Sequence, residues 1–173
     1  GARNIISANT TTGVYITGAS STGNLVKGNY IGLDINGTTF IAGSSQDNGV
    51  YIITNAASNT IGGTAAGEEN VISGNISKGV DLISAAAAGN SVLGNIIGPQ
   101  ANGTTIVAAN SQDYGVYIDN SPNNIIGGGA AGAGNIISAN IFSGVIITGA
   151  TSTGNSVKGN YIGLDITGTT FIT

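Results

Sequence analysis

Apolar residues in this chain alternate with polar ones and show no helical spacing. In Gly13-Val14-Tyr15-Ile16, Val14 and Ile16 share one face and Tyr15 takes the other, the period of two that a β-strand requires. The same G-V-x-[IL] tetrad returns as GVYI at 49, GVDL at 79, GVYI at 115 and GVII at 144. A second signature, Asn followed by two apolar residues, begins at Asn4, Asn29, Asn70, Asn95, Asn135 and Asn160. A third, Asn-x-[VI], begins at Asn24, Asn59, Asn90, Asn124 and Asn155. β-Branched residues dominate the apolar positions, and Gly, Asn, Ser and Thr lie between the signatures, so each signature reads as a short strand bounded by tight turns. The three follow one another in fixed cyclic order through five full turns and the start of a sixth.

Longer phrases repeat as well. Residues 24–39 read NLVKGNYIGLDINGTT, residues 90–105 NSVLGNIIGPQANGTT and residues 155–170 NSVKGNYIGLDITGTT, offset by 66 and then 65 residues. The chain divides into repeats 4–69, 70–134 and, in part, 135–173, within one domain over 1–173. Each full repeat holds two coils of unequal length: Asn4 to Asn29 spans 25 residues and Asn29 to Asn70 spans 41. The surplus lies around LDINGTTFIAGSSQD and GGTAAGEE, so a lean coil alternates with a loop-decorated one. Short strands of this kind cannot bury an apolar face alone, whereas stacked coils share a core. The expected fold is all-β: a β-solenoid of three short strands per coil, about five coils plus a partial sixth, rising about 4.8 Å per coil. Its core columns are Ile6, Ile31, Ile72, Ile97, Ile137 and Ile162; Val14, Val50, Val80, Val116 and Val145, with Ile16, Ile52, Leu82, Ile118 and Ile147 beside them; and Val26, Ile61, Val92, Ile126 and Val157. Asn24, Asn59, Asn90, Asn124 and Asn155 would stack at one corner as a structural amide ladder, and Asn4 through Asn160 at another. Asn also tolerates the left-handed backbone that corners require.

Composition narrows the chemistry. Cys, His, Met and Trp are absent, which removes thiolate and imidazole chemistry and any disulfide. No cofactor is expected. Charged residues make up 7 % of the chain and the net charge is −4, with Arg3, Lys27, Lys78 and Lys158 the only cations. A chain with no basic patch is a poor nucleic-acid partner, and no apolar run is long enough to insert in a membrane. The hydrophobic fraction of 40 %, placed periodically, excludes a disordered polar chain.

With these motifs in hand, the chain resembles the right-handed parallel β-helix proteins of the pectate-lyase-like superfamily. In particular it is similar to the NxVxGNYIG…GTT…GVxI…NxIGG…NVISGN arrays of large bacterial secreted and cell-surface proteins. The resemblance covers nearly all of the chain and implies a right-handed parallel β-helix located outside the cell or on its surface. The superfamily includes enzymes, adhesins and structural shafts, so fold alone selects no activity.

The outward column of the GVxI wall, Tyr15, Tyr51, Asp81, Tyr117 and Ile146, is the place to look for a site. Tyr51, Asp81 and Tyr117 are the candidate glycan contacts, an acid between two stacking faces. A lone carboxylate lacks the second carboxyl that a glycosidase uses. Asp47, Lys78 and Asp113 are expected to form a surface charge ladder near the same level. DINGTT at 34–39 has the opening of a calcium loop without its closing glutamate, so Asp34 and Asp165 are expected in turns. Gly127, Gly129 and Gly132 match a dinucleotide fingerprint by spacing alone, with no helix or downstream acid to support it. Lys27 and Lys158 read as solvated, since Leu93 replaces them in the middle copy. Threonines recur too sparsely for a regular ice-binding array.

The expectation is therefore a non-enzymatic structural module of an extracellular fibre, adhesin stalk or surface protein. Its partners would be further coils, through end-to-end stacking of copies or flanking repeats of a longer chain. The alternative is a carbohydrate-binding or carbohydrate-active β-helix using the Tyr/Asp wall.

Overall fold

A computed structural model describes residues 3–43, 46–108 and 112–172. The strands cycle through three walls in chain order. The first coil carries β1 (Ile5–Ile6), β2 (Thr12–Thr17) and β3 (Leu25–Val26), and the second β4 (Tyr30–Ile31), β5 (Asn48–Ile53) and β6 (Thr60–Gly62). The third has β7 (Val71–Ile72), β8 (Lys78–Ile83) and β9 (Ser91–Leu93), and the fourth β10 (Ile96–Ile97), β11 (Tyr114–Asp119) and β12 (Ile125–Gly127). The fifth has β13 (Ile136–Ile137), β14 (Ser143–Thr148) and β15 (Ser156–Lys158), and β16 (Tyr161–Ile162) opens the sixth. Every third strand pairs in parallel, giving a first sheet β1-β4-β7-β10-β13-β16, a second β2-β5-β8-β11-β14 and a third β3-β6-β9-β12-β15. This is the right-handed parallel β-helix of three strands per coil, the hand that parallel crossovers almost always take.

Register follows the signatures. Val14, Val50, Val80, Val116 and Val145 pair in succession, as do Ile6, Ile31, Ile72, Ile97, Ile137 and Ile162. In the middle coils these columns are closed to solvent, with Ile31, Val50, Ile52, Ile61, Ile72, Val80, Leu82, Val92, Ile97, Val116, Ile118, Ile126 and Ile137 all fully buried. Each is worth roughly 1.5–3 kcal/mol relative to exposure, so the columns are the main stabilising term. The same columns open at the last coil, where Ile147, Val157 and Ile162 are exposed.

Amide ladders run up all three corners. From Asn24 the chain is directional: each Asn donates its backbone N–H to Oδ1 of the Asn one coil on, and Nδ2 joins it there except at Asn90, where Nδ2 turns to Ala56 O and Ala87 O; the distances are 2.9 and 2.8 Å from Asn24 to Asn59 and 2.9 and 3.1 Å from Asn59 to Asn90. The Asn4 to Asn160 ladder runs in the same direction, and Nδ2 of Asn70, Asn95, Asn135 and Asn160 also reaches a third-sheet carbonyl, that of Val26, Ile61, Val92 and Ile126 in turn. A third ladder joins the first sheet to the second by alternating residue types: Asn9 Nδ2 to Gln46 Oε1 (2.7 Å), Gln46 Nε2 to Asn75 Oδ1 (2.8 Å), Asn75 Nδ2 to Gln112 Oε1 (2.9 Å) and Gln112 Nε2 to Asn140 Oδ1 (2.7 Å). Lean coils supply Asn and decorated coils supply Gln, whose extra methylene bridges from the longer corner. The left-handed residue is not the ladder Asn itself. It is the one before: Gly23, Ser58, Gly89, Asn123 and Gly154 all have φ between 57° and 70°.

The decorated loops are more than surplus length. Each folds back in an antiparallel bridge, Leu33 with Phe40, Pro99 with Ile106 and Leu164 with Phe171, over the outer face of the first sheet. There Tyr30, Leu33, Val71, Ile96, Val107 and Ile136 form a second buried cluster with Phe40 and Ala101 against it. Gly37 O accepts from Ala101 N and Gly103 O from Ile166 N, both at 2.9 Å. Each loop thus bonds the loop of the next decorated coil, passing the lean coil between. A loop that covers two rungs, about 9.6 Å at the spacing of paired strands, is needed only once every two coils. The two-coil repeat follows from that.

Candidate functional site

A glycine opens each tetrad of the second sheet, and Gly13, Gly49, Gly79, Gly115 and Gly144 all pack against the isoleucine column or the neighbouring strand, leaving no room for a Cβ. The residue before the glycine and the third residue of the tetrad are left on the outer wall. In register these are Thr12, Asn48, Lys78, Tyr114 and Ser143 in one column and Tyr15, Tyr51, Asp81, Tyr117 and Ile146 in the next. The expected column therefore forms, with Tyr51 and Tyr117 on either side of Asp81.

Asp81 is not presented to solvent. It is 1 % exposed, covered on a wall that alternation alone makes outward. Its Oδ2 lies 3.3 Å from Lys78 Nζ, and that ammonium sits 4.9 Å from the centre of the Tyr117 ring. Oδ1 has no hydrogen-bond partner among the described residues, and neither does the buried Asn48 Oδ1 in the adjoining column. Burial pushes the Asp81 carboxyl up from an ordinary 3.8 to about 6, Lys78 opposing and the charges of Asp119 and Asp47 adding to the rise. Burial, together with the Asp81 charge, also raises the Tyr51 phenol. Aromatic contacts flank the acid: Tyr15 with Tyr51 at 5.4 Å, Tyr114 with Tyr117 at 5.5 Å and Tyr114 with Phe142 at 5.7 Å. A groove of about 340 Å³ lined by Thr11, Thr12, Tyr15, Asp47, Asn48 and Tyr51 runs along the first two coils of this wall. Such a wall can stack a flat apolar face and accept hydrogen bonds. Among the described residues the only side chain bonded to the Asp81 carboxyl is the Lys78 ammonium, and no second carboxyl joins it.

Other candidates resolve into structure. The charge ladder of Asp47, Lys78 and Asp113 does not form. Ser77, not Lys78, stands level with those aspartates, bonded to Asp47 O and bonded in turn by Tyr114 N, and Lys78 turns within its own strand to Asp81. Lys27 is paired with Glu68 at 2.9 Å, so it is more than a solvated lysine. Asp34 Oδ1 accepts from Thr38 N (2.8 Å) and Thr39 N (3.1 Å), and Asp165 Oδ1 from Thr167 Oγ1 (2.7 Å) and N (3.1 Å). These turn hydrogen bonds, led by Thr38 N–H and the Thr167 hydroxyl, hold both carboxyls below the usual range. Among the described residues no group of three acidic side chains converges as a cation site would require. Gly127 and Gly132 serve turns with φ of 80° and 76°.

A cavity of about 520 Å³ lies at the last coils among Ile137, Asn140, Gly144, Ile162 and Ile172, with Phe142 of the aromatic wall also lining it.

No protein-family model matches this sequence, nor does any curated protein or solved structure.

Proposed function

We propose that the chain is a non-enzymatic structural module, a stiff β-solenoid segment of an extracellular fibre, adhesin stalk or surface protein, whose coils continue through its open ends. The resemblance of its NxVxGNYIG…GVxI…NxIGG motifs to secreted pectate-lyase-like arrays supports this reading, and with it a location outside the cell. The observation that carries it is the continuity of the three amide ladders and the apolar columns. They tie each coil to the next by side-chain bonds and shared core, which resists bending along the axis. The wall varies where a catalytic centre needs constancy, with Tyr15, Tyr51, Asp81, Tyr117 and Ile146 at one register position.

A second reading is a glycan-binding wall. It is favoured by the aromatic pairs flanking Asp81 and by the two buried acceptors, Asp81 Oδ1 and Asn48 Oδ1, that lack a donor among the described residues. Cryo-electron microscopy at near-physiological concentration and a glycan array probed with the protein and with Asp81→Ala separate the two. Filaments or rigid rods without glycan capture support the structural module. Capture that Asp81→Ala abolishes without lowering thermal stability overturns it in favour of the second reading.

A further inference from the structure

Four asparagines stand two residues before a Thr or Ser, in Asn9-Thr10-Thr11, Asn36-Gly37-Thr38, Asn75-Ile76-Ser77 and Asn102-Gly103-Thr104, which is the spacing of an N-glycan acceptor. On a folded chain the spacing is not enough. The amide must lie on the surface, and its Nδ2 must be able to leave its hydrogen bonds without undoing the structure around it. Asn9 and Asn75 fail that condition. Both are rungs of the third ladder, their Nδ2 atoms donating to Gln46 Oε1 and Gln112 Oε1 at 2.7 and 2.9 Å, and Asn75 is fully buried.

Asn36 and Asn102 occupy the same place in the first two decorated loops, and both are exposed. A neighbouring loop does not cover this place. The second loop is bonded on both sides, by Ala101 N to Gly37 O and by Ile166 N to Gly103 O, and Asn102 stays exposed between its neighbours. The turn itself does not call for Asn either. The third loop has Thr167 here and bends identically: Gly37, Gly103 and Gly168 have φ of 69°, 67° and 72°, and each donates its N–H to the carbonyl three residues back.

The two exposed amides differ in what they hold. In the first loop Asp34 Oδ1 takes the N–H groups of Thr38 (2.8 Å) and Thr39 (3.1 Å), and in the third Asp165 Oδ1 takes those of Thr169 (3.2 Å) and Thr170 (3.3 Å). Gln100 stands at that position in the second loop and does not take them. There Asn102 Oδ1 accepts from Thr104 N (3.0 Å) and Thr105 N (3.1 Å), while its Nδ2 donates to the Thr105 hydroxyl at 2.9 Å. Asn102 is thus the clasp of its own turn. Asn36 is relieved of that work by Asp34, and its amide makes one contact among the described residues, from Nδ2 to Asp34 Oδ2 at 3.1 Å on the surface.

We propose that Asn36 is an acceptor site for an N-linked glycan on the folded solenoid, with Asp34 the positioning residue that leaves its amide free. The donor class is an oligosaccharide carried on a polyprenyl diphosphate. A bond forms between Asn36 Nδ2 and the sugar C1, the bond from C1 to the diphosphate oxygen breaks, the diphosphate leaves with the electron pair, and one Nδ2 proton passes to solvent. The inference rests on the proposed location outside the cell, since such transfer acts on exported chains.

The test incubates the folded chain with a single-subunit oligosaccharyltransferase and its polyprenyl-diphosphate oligosaccharide, followed by intact mass and tandem mass spectrometry. One glycan should be added, on Asn36, and none to Asn36→Gln. Gln100→Asp gives the second loop the acid that the first one has, so it should release Asn102 and bring a second addition there. No addition to the folded chain overturns the inference. So does addition to wild-type Asn102 at the rate of Asn36, or a Gln100→Asp chain whose Asn102 stays unmodified. These masses depend neither on filaments nor on where the chain resides, so this inference and the structural reading fail separately.

Discussion

Replacing Asn90 by Ala tests whether the ladders or the apolar columns dominate the joints between coils. Asn90 is fully buried, and its Oδ1 accepts from Asn59 N (2.9 Å) and Asn59 Nδ2 (3.1 Å). Its Nδ2 donates to Ala56 O (3.2 Å) and Ala87 O (2.9 Å). Alanine removes all four bonds, but their consequences differ. Ala87 O keeps the Ser121 hydroxyl, and Asn59 Nδ2 keeps Ser21 O. Asn59 N–H and Ala56 O lose the side chain that pairs them. At about 1–3 kcal/mol for each buried group left unmatched, Asn90→Ala should cost about 2–6 kcal/mol. Asn24→Ala is the internal control, because the ladder is directional. Among the described residues Asn24 Oδ1 accepts no hydrogen bond, and alanine there removes only the 2.8 Å bond from Nδ2 to Asn59, on an exposed residue, at about 0.5–1.5 kcal/mol. Urea unfolding followed by far-UV circular dichroism, with the slope held common, converts the two midpoint shifts to free energies. If Asn90→Ala lies within 1 kcal/mol of Asn24→Ala, the amides are spectators and the hydrophobic columns alone hold the coils.

Three other perturbations follow from particular contacts. Because burial raises the folded-state pKa of Asp81 to about 6, its carboxyl favours the native state fully below about pH 4, and that contribution is lost as pH rises through 6. Asp81→Asn should therefore be more stable than wild type at pH 7 by about 2–3 kcal/mol and should lack the fall in melting temperature between pH 4 and 6; an unchanged pH profile refutes this. Gly62 and Gly67 share φ of 83°, but a Cβ on Gly62 would strike Leu93 O and the Asn95 amide while one on Gly67 meets open space. Gly67→Ala should cost about 1–2 kcal/mol and Gly62→Ala about 4 or more, and equal melting temperatures would place the whole penalty in the backbone. Gln112→Asn shortens the one ladder residue that reaches both Asn75 and Asn140; it should cost about 2–4 kcal/mol by urea titration, and a cost below that of Asn24→Ala would show the third ladder to be incidental.

Much of this was legible in the chain because it is written locally and repeatedly. Period-two alternation decides which residues of GVYI point inward whatever surrounds them. The return of Asn24, Asn59, Asn90, Asn124 and Asn155 at the same place in every coil aligns like with like once coils stack, so walls, register, columns and two ladders follow from sequence. The third ladder was hidden because its rungs change type, Asn in lean coils and Gln in decorated ones, and a search for identical residues passes over it. The cover on the first sheet was hidden because Leu33, Phe40 and Val107 lie in stretches without period, whose destination depends on a face made by other coils. Tertiary structure alone decided the state of Asp81. Alternation places it outward, but Tyr51, Lys78 and Tyr117 are brought beside it from its own and adjacent coils, and its burial there raises its pKa against the opposing charge of Lys78.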